Sequence, residues 1–142
     1  MSEPDERFSL DLSGLWQGLY SYPQGRGRNP VSFSAKLKDA DGWLDGATSE
    51  VGEVGAARGL TISATLQGRR TGRSVTFLKT YDGEFRGYDA VQYAGEVRDG
   101  GDEIEGRWTV PGSWSGAFLM IRTSPAPAQQ AAREVARIGR GG

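Results

Sequence analysis

Along residues 31–38 (VSFSAKLK), Val31, Phe33, Ala35 and Leu37 alternate with Ser32, Ser34, Lys36 and Lys38. Period two with one apolar face marks a strand that has a core on one side and water on the other. The same alternation returns in 60–67, where Leu60, Ile62, Ala64 and Leu66 share a face, and in 73–81, where Val75, Phe77, Lys79 and Tyr81 do. Segment 14–22 puts Trp16, Gly18, Tyr20 and Tyr22 on one side, then stops at Pro23 before a basic, Gly-rich loop over 24–30. Asp41-Gly42 turns the chain into 43–49, a weaker strand of small residues, and a Gly/Ala loop follows over 50–59. In 88–98 we place Val91, Tyr93 and Val97 inward, which leaves Tyr88, Gln92 and Glu96 outward. Runs 103–110 and 114–122 flank Pro111-Gly112-Ser113 and read as a hairpin. Its second run is apolar on both faces, with Phe118 and Met120 on one and Leu119 and Ile121 on the other. Such a strand needs neighbours on both sides or a cover on its outside.

These runs predict about eight short strands joined by turns that fit antiparallel hairpins, with no helical period before residue 125. Parallel βαβ units need crossover helices, and the spacings leave no room for them. A meander of this length can close on itself and so remove its exposed edges. The expected fold is therefore all-β, an eight-stranded antiparallel up-and-down barrel over 8–124, with a sandwich as the competing closure. Residues 1–7 are expected to be a disordered tail. Residues 125–142 are expected to form a short C-terminal helix, with Ala131, Val135 and Ile138 on one face, or a frayed tail. Leu19, Leu78, Leu119 and Ile121 are the outward apolar residues that such a helix, or a second subunit, would cover.

Composition narrows the chemistry. The chain has 142 residues, no cysteine and no histidine. That removes disulfides, thiolate zinc sites, histidine ligation of metals or haem, and Ser-His-Asp catalysis. With a net charge of −1 and a pI near 5.5, nothing draws nucleic acid or an anionic membrane to the surface as a whole. No run of about 18 apolar residues is present for a membrane-spanning helix, and the polar start is unlike a signal peptide. A cytoplasmic location is the expectation, with no metal, cofactor, nucleic acid or membrane partner. Arg26 and Arg28 sit in one loop, and Arg69, Arg70 and Arg73 in another. In a meander the connections after the first and fourth strands lie at opposite ends, so these arginines read as charged surface rather than one anion-binding mouth.

Gly14-x-Trp16 on the first strand, with Arg122 ending the last, resembles the calycin pattern of lipocalins, fatty-acid-binding proteins and avidins. That resemblance implies that Trp16 plugs one end of the barrel and that the Arg122 cation lies on its ring face. It implies no particular ligand. The cysteines and signal peptide of secreted lipocalins are absent, as is the helix-turn-helix lid of fatty-acid-binding proteins.

The inward faces gather Tyr20, Tyr22, Phe33, Phe77, Lys79, Tyr81, Tyr93, Trp108, Phe118 and Met120. Glycines 18, 95, 106 and 116 are expected to leave space beside them. Aromatic walls with a few polar tips suit a small apolar or aromatic ligand in the lumen, and this is the first functional reading. Lys79 is the sharpest residue: a buried ammonium demands a partner, from a ligand carboxylate or a protein acid. The second reading is a lyase- or cyclase-type enzyme that uses Tyr20, Tyr22, Lys79 and Tyr81 in the same lumen. A third is a filled barrel acting as an assembly module, possible as a homo-oligomer through Leu19, Leu119 and Ile121.

Overall fold

The computed structural model describes residues 10–25, 27–52, 59–82 and 90–125. Within them the eight strands run in chain order: β1 (Gly14–Tyr20), β2 (Val31–Ala40), β3 (Trp43–Val51), β4 (Thr61–Thr71), β5 (Ser74–Tyr81), β6 (Val91–Arg98), β7 (Glu103–Val110) and β8 (Trp114–Pro125). Each pairs antiparallel with the next, and β8 returns to β1 to close the barrel. Closure fixes the sandwich question in favour of the barrel. The alternation read from the sequence is the alternation observed: Val31, Phe33, Ala35 and Leu37 point in, and the intervening residues face water. Val91, Tyr93 and Val97 likewise point in.

Three boundaries differ from the sequence reading, and the first two have one cause: a polar residue on the inner face. β3 continues through Glu50, which the loop reading had removed from the strand. β4 continues through Arg69 and Arg70, which had been read as a turn, while Leu60 falls outside it and is exposed. β6 begins at Val91; Tyr88 lies outside the described residues, as do the N-terminal tail and the expected C-terminal helix at 128–138. The outer face of β8 is less covered than its sequence suggests. Leu119 is half-buried and Ile121 is exposed among the described residues.

Closing eight strands bends them tightly inward, and glycines sit where the bend needs room. Gly18 stands opposite Phe33 in the β1–β2 register, and a methyl group there would collide with the Phe33 ring. Gly116 stands opposite Trp108, whose Nε1 would lie 2.6 Å from such a methyl. Gly68 stands opposite Phe77, whose Cα and Cβ would lie 2.5 and 2.6 Å from a methyl there. The space expected beside Gly18 is therefore occupied by the Phe33 ring, at Gly116 by the Ser21 carbonyl and the Trp108 ring, and at Gly95 and Gly106 chiefly by the neighbouring strand.

One end, the base, is sealed. Residues 10–13 lead into β1 and bury Leu10 and Leu12 beneath the barrel. Trp16 donates its Nε1–H to the Leu12 carbonyl at 2.9 Å. Arg122 pairs with Trp16 across β1 and β8, and its guanidinium lies 4.9 Å from the indole centroid. The same guanidinium donates to the carbonyls of Asp11 and Ser13, each at 2.8 Å, to the Gly101 carbonyl at 2.6 Å and to Asp102 at 3.1 Å. Beside it Asp39 accepts from Arg70 Nε at 2.8 Å and from the backbone of Leu12 and Gly42. The two cations thus satisfy backbone groups that would otherwise be stranded where the lead-in crosses the opening.

Trp16→Ala should destabilise the barrel by about 3–5 kcal/mol, the usual cost of truncating a large buried aromatic. Denaturant unfolding measures it, and a change inside about ±0.5 kcal/mol, the range of exposed positions, would mean that Trp16 does not hold the base closed.

Candidate functional site

At the mouth, the end opposite the plug, the inner wall turns polar. β3 ends with Glu50, β5 with Lys79 and Tyr81, and β1 with Tyr20, and period two points all four toward the axis. Glu50 lies at their centre. Its Oε1 accepts from Lys79 Nζ at 2.8 Å and from the Tyr81 hydroxyl at 3.2 Å. Its Oε2 accepts from the Tyr20 hydroxyl at 2.7 Å. Three donors thus converge on one carboxylate. The pair is removed from water, with Lys79 1% exposed.

Lys79 is less well satisfied than its partner. Among the described residues it makes one hydrogen bond, to Glu50, and its ammonium is otherwise surrounded by rings. Phe33 and Tyr81 stand with centroids 4.8 Å from Nζ, Tyr20 at 4.9 Å and Tyr93 at 5.8 Å. Ring faces attract a cation, yet they replace water poorly. Burial accordingly lowers the Lys79 pKa from its ordinary value, and the Glu50 charge opposes that shift in part. Burial raises the phenol pKa values of Tyr20, Tyr81 and Tyr93 well beyond the usual range, and Glu50 adds to the rise in all three.

Thr48 completes the picture. It is an inward residue of β3, two positions from Glu50 and 4% exposed, and its Oγ1 has no hydrogen-bond partner among the described residues. In register it stands between Ala35 of β2 and Ala64 of β4, both inward and small. A buried hydroxyl without a partner is unusual and marks a place where a water or a ligand atom belongs.

The remaining aromatic residues fall into two groups. Phe77, Tyr93 and Phe118 pack against one another in mid-barrel, Phe77 stacked on Tyr93 at 5.0 Å and Phe118 edge-on to Tyr93 at 4.9 Å. Tyr22, Trp108 and Trp114 cluster at the mouth, with centroid distances of 5.0–5.9 Å. Arg28 lies over this group, 4.8 Å from the Tyr22 ring. The arginines flagged in the sequence do lie at opposite ends, Arg28 at the mouth and Arg70 at the base; Arg26 is outside the described residues.

Two members of the site were missed from the sequence. Glu50 was legible in principle, since an inward Lys79 demands an acid and the parity from Leu44 through Thr48 reaches position 50. Thr48 offered no signal beyond that parity. What the four groups can do chemically is hold a buried negative charge, present an amine, and move a proton between the two over 2.8 Å.

The class defined by this fold is the closed eight-stranded antiparallel barrel. The chain is similar to a redesigned β-barrel of known structure, with a TM-score of 0.59 and 15% identity over 78% of this chain and 90% of that one. At that identity the likeness concerns the fold alone. No family model and no curated protein matches the chain.

Removing one member of a buried ion pair strands the other. Lys79→Met and Glu50→Gln should each cost about 3–5 kcal/mol, and the double variant less than their sum, with a coupling of up to about 3 kcal/mol. Chemical denaturation of the four proteins measures the cycle; additive losses would deny the pair. The tyrosines give a second test. In the unfolded chain they lose protons near pH 10, and in the barrel Tyr20, Tyr81 and Tyr93 hold theirs, so stability should fall as pH rises through 10. An ultraviolet titration of the folded protein should show these three ionising only as the barrel unfolds. Ordinary ionisation of all five tyrosines while it stays folded would contradict their burial.

Proposed function

We propose that the barrel binds a small, largely apolar or aromatic molecule in the mouth-side half of its lumen, with a polar group of that molecule set against Glu50, Lys79 and Thr48. The observation that carries this reading is the buried Glu50–Lys79 pair with its two tyrosines. Such a pair adds little net stability compared with a well-packed apolar pair, so its presence calls for a use. The unpartnered Thr48 hydroxyl beside it supports the same reading. So does the arrangement of the ends: the base is sealed by Trp16 and Arg122, and the polar groups collect at the other. The calycin likeness, in which Trp16 and Arg122 take the plug positions, agrees with a ligand-binding barrel. Within the pocket we assign Tyr20, Tyr81, Lys79 and Phe33 to the polar end. Tyr93, Phe77 and Phe118 form its floor, and Tyr22 and Trp108 its rim.

A second reading has its own observation. Leu15 and Ile121 are each 46% exposed and Leu19 is 41% exposed, all on the outer face where β1 meets β8. Such a face suits self-association in a filled barrel.

Native mass spectrometry of the protein from its own host separates the two. Gentle conditions should carry an added mass of a few hundred daltons that denaturation releases. A clean apo mass after soaking with mixed acyl and aromatic probes, in an oligomer broken by Leu19→Asp with Ile121→Asp, would overturn lumen binding in favour of assembly.

A further inference from the structure

We infer that Lys79 is a carbonyl-trapping amine and that the lumen ligand is a small, flat aldehyde held as a reversible imine, an inference that rests on the lumen-binding reading above. Four observations lead there. The first is the choice of residue. Among 17 basic residues only Lys36, Lys38 and Lys79 are lysines, and the first two lie on the exposed face of β2. Where the barrel needs a buried cation for structure it uses arginine, at Arg70 and Arg122. Arginine keeps its proton and cannot act as a nucleophile; lysine can give its proton up when buried. The one buried lysine therefore stands where an amine, rather than a charge alone, is of use.

The second observation is geometric. Glu50 Oε1 lies 2.8 Å from Nζ, on the line of proton transfer, and the hydroxyls of Tyr20 and Tyr81 hold its carboxylate in place. Third, the other sides of Nζ meet ring faces, which suit the delocalised cation that results. Fourth, the small residues Ala35 and Ala64 flank the unpartnered Thr48 hydroxyl next to Glu50, a strip of wall against which a flat chain can lie.

The step balances with the groups present. The Lys79 ammonium passes a proton to Glu50, and the free amine adds to the aldehyde carbon to form the C–N bond. The surplus proton on nitrogen moves to the new alkoxide to give the carbinolamine, whose hydroxyl takes the proton back from Glu50 and leaves as water as the C–O bond breaks. The product is a protonated imine beside the Glu50 carboxylate. Amine and aldehyde give imine and water, with no oxidant or reductant and no change of net charge.

The test uses the whole protein with trans-cinnamaldehyde, trapped by cyanoborohydride and mapped by peptide mass spectrometry, beside cinnamyl alcohol followed by NMR. The expected result is one adduct per chain, at Lys79 in preference to the exposed Lys36 and Lys38, with that preference lost in urea. Glu50→Gln should slow trapping on the order of 100-fold, the scale of a positioned proton-transfer group. Lys79→Arg keeps the charge and should remove the adduct; if it fails to fold, the preference among the three native lysines still decides. An alcohol that shifts the Thr48 and Tyr20 resonances while the aldehyde leaves Lys79 unlabelled would overturn the imine and keep the lumen. Labelling spread evenly over the three lysines in the folded protein would also overturn it. If neither probe engages the barrel, both readings fall together.

Discussion

The return of β8 to β1 is the constraint on which the rest of the structure depends. It removes both sheet edges, and it also gives the sheet an inside of fixed size. Every second residue of eight strands then points into one small volume. Apolar side chains fill it readily, and glycines opposite Phe33 and Trp108 let the rings lie flat against the bent wall. Polar side chains at inward positions have no such freedom. Closure takes Glu50, Lys79, Thr48, Asp39 and Arg70 out of water whether or not the fold gains by it, and each must find a partner inside or remain unmet.

The two ends of the barrel meet that demand differently. At the base the match is close to complete. Arg122 distributes its N–H groups over three backbone carbonyls and Asp102, and Asp39 collects one arginine and two backbone amides. The planar guanidinium suits this work because its donors point in several fixed directions at once. The result is a rigid closure with little left to offer a ligand. At the mouth, among the described residues, Glu50 accepts three hydrogen bonds but Lys79 makes a single one and the Thr48 hydroxyl none. A site that were only structural would gain from the same saturation as the base. The shortfall sits at the end away from the Trp16 plug, and it sets the polar groups there apart from those that close the base.

The sequence carried the fold in its apolar alternation. Strands such as 31–38 and 73–81 show one clean face, and the tight turns between them leave an antiparallel meander as the only economical path. What it concealed were the places where polar residues point inward. Position 50 follows Gly46 and Thr48 on a weakly apolar face, so the local pattern ends the strand at 49 and leaves Glu50 to a loop. Arg70 vanished into a supposed turn for the same reason. Both belong to networks that depend on strand register, which pairs Thr48 with Ala35 and Ala64 but leaves no trace in the local pattern. Register also decides the glycines: Gly18 looks like vacant space until Phe33 is known to stand across from it.

Packing then limits what the lumen can hold. Phe77, Tyr93 and Phe118 occupy mid-barrel with ring centroids 4.9–6.2 Å apart, which is ordinary contact distance for aromatic side chains. With the base sealed below them, Tyr20, Phe33, Lys79 and Tyr81 make up the mouth-side interior. A bulky or branched molecule would have to displace these rings, at the cost of the contacts that hold the core together. The rings thus set the size and shape of the interior, and the amine and carboxylate set its chemistry at the mouth end.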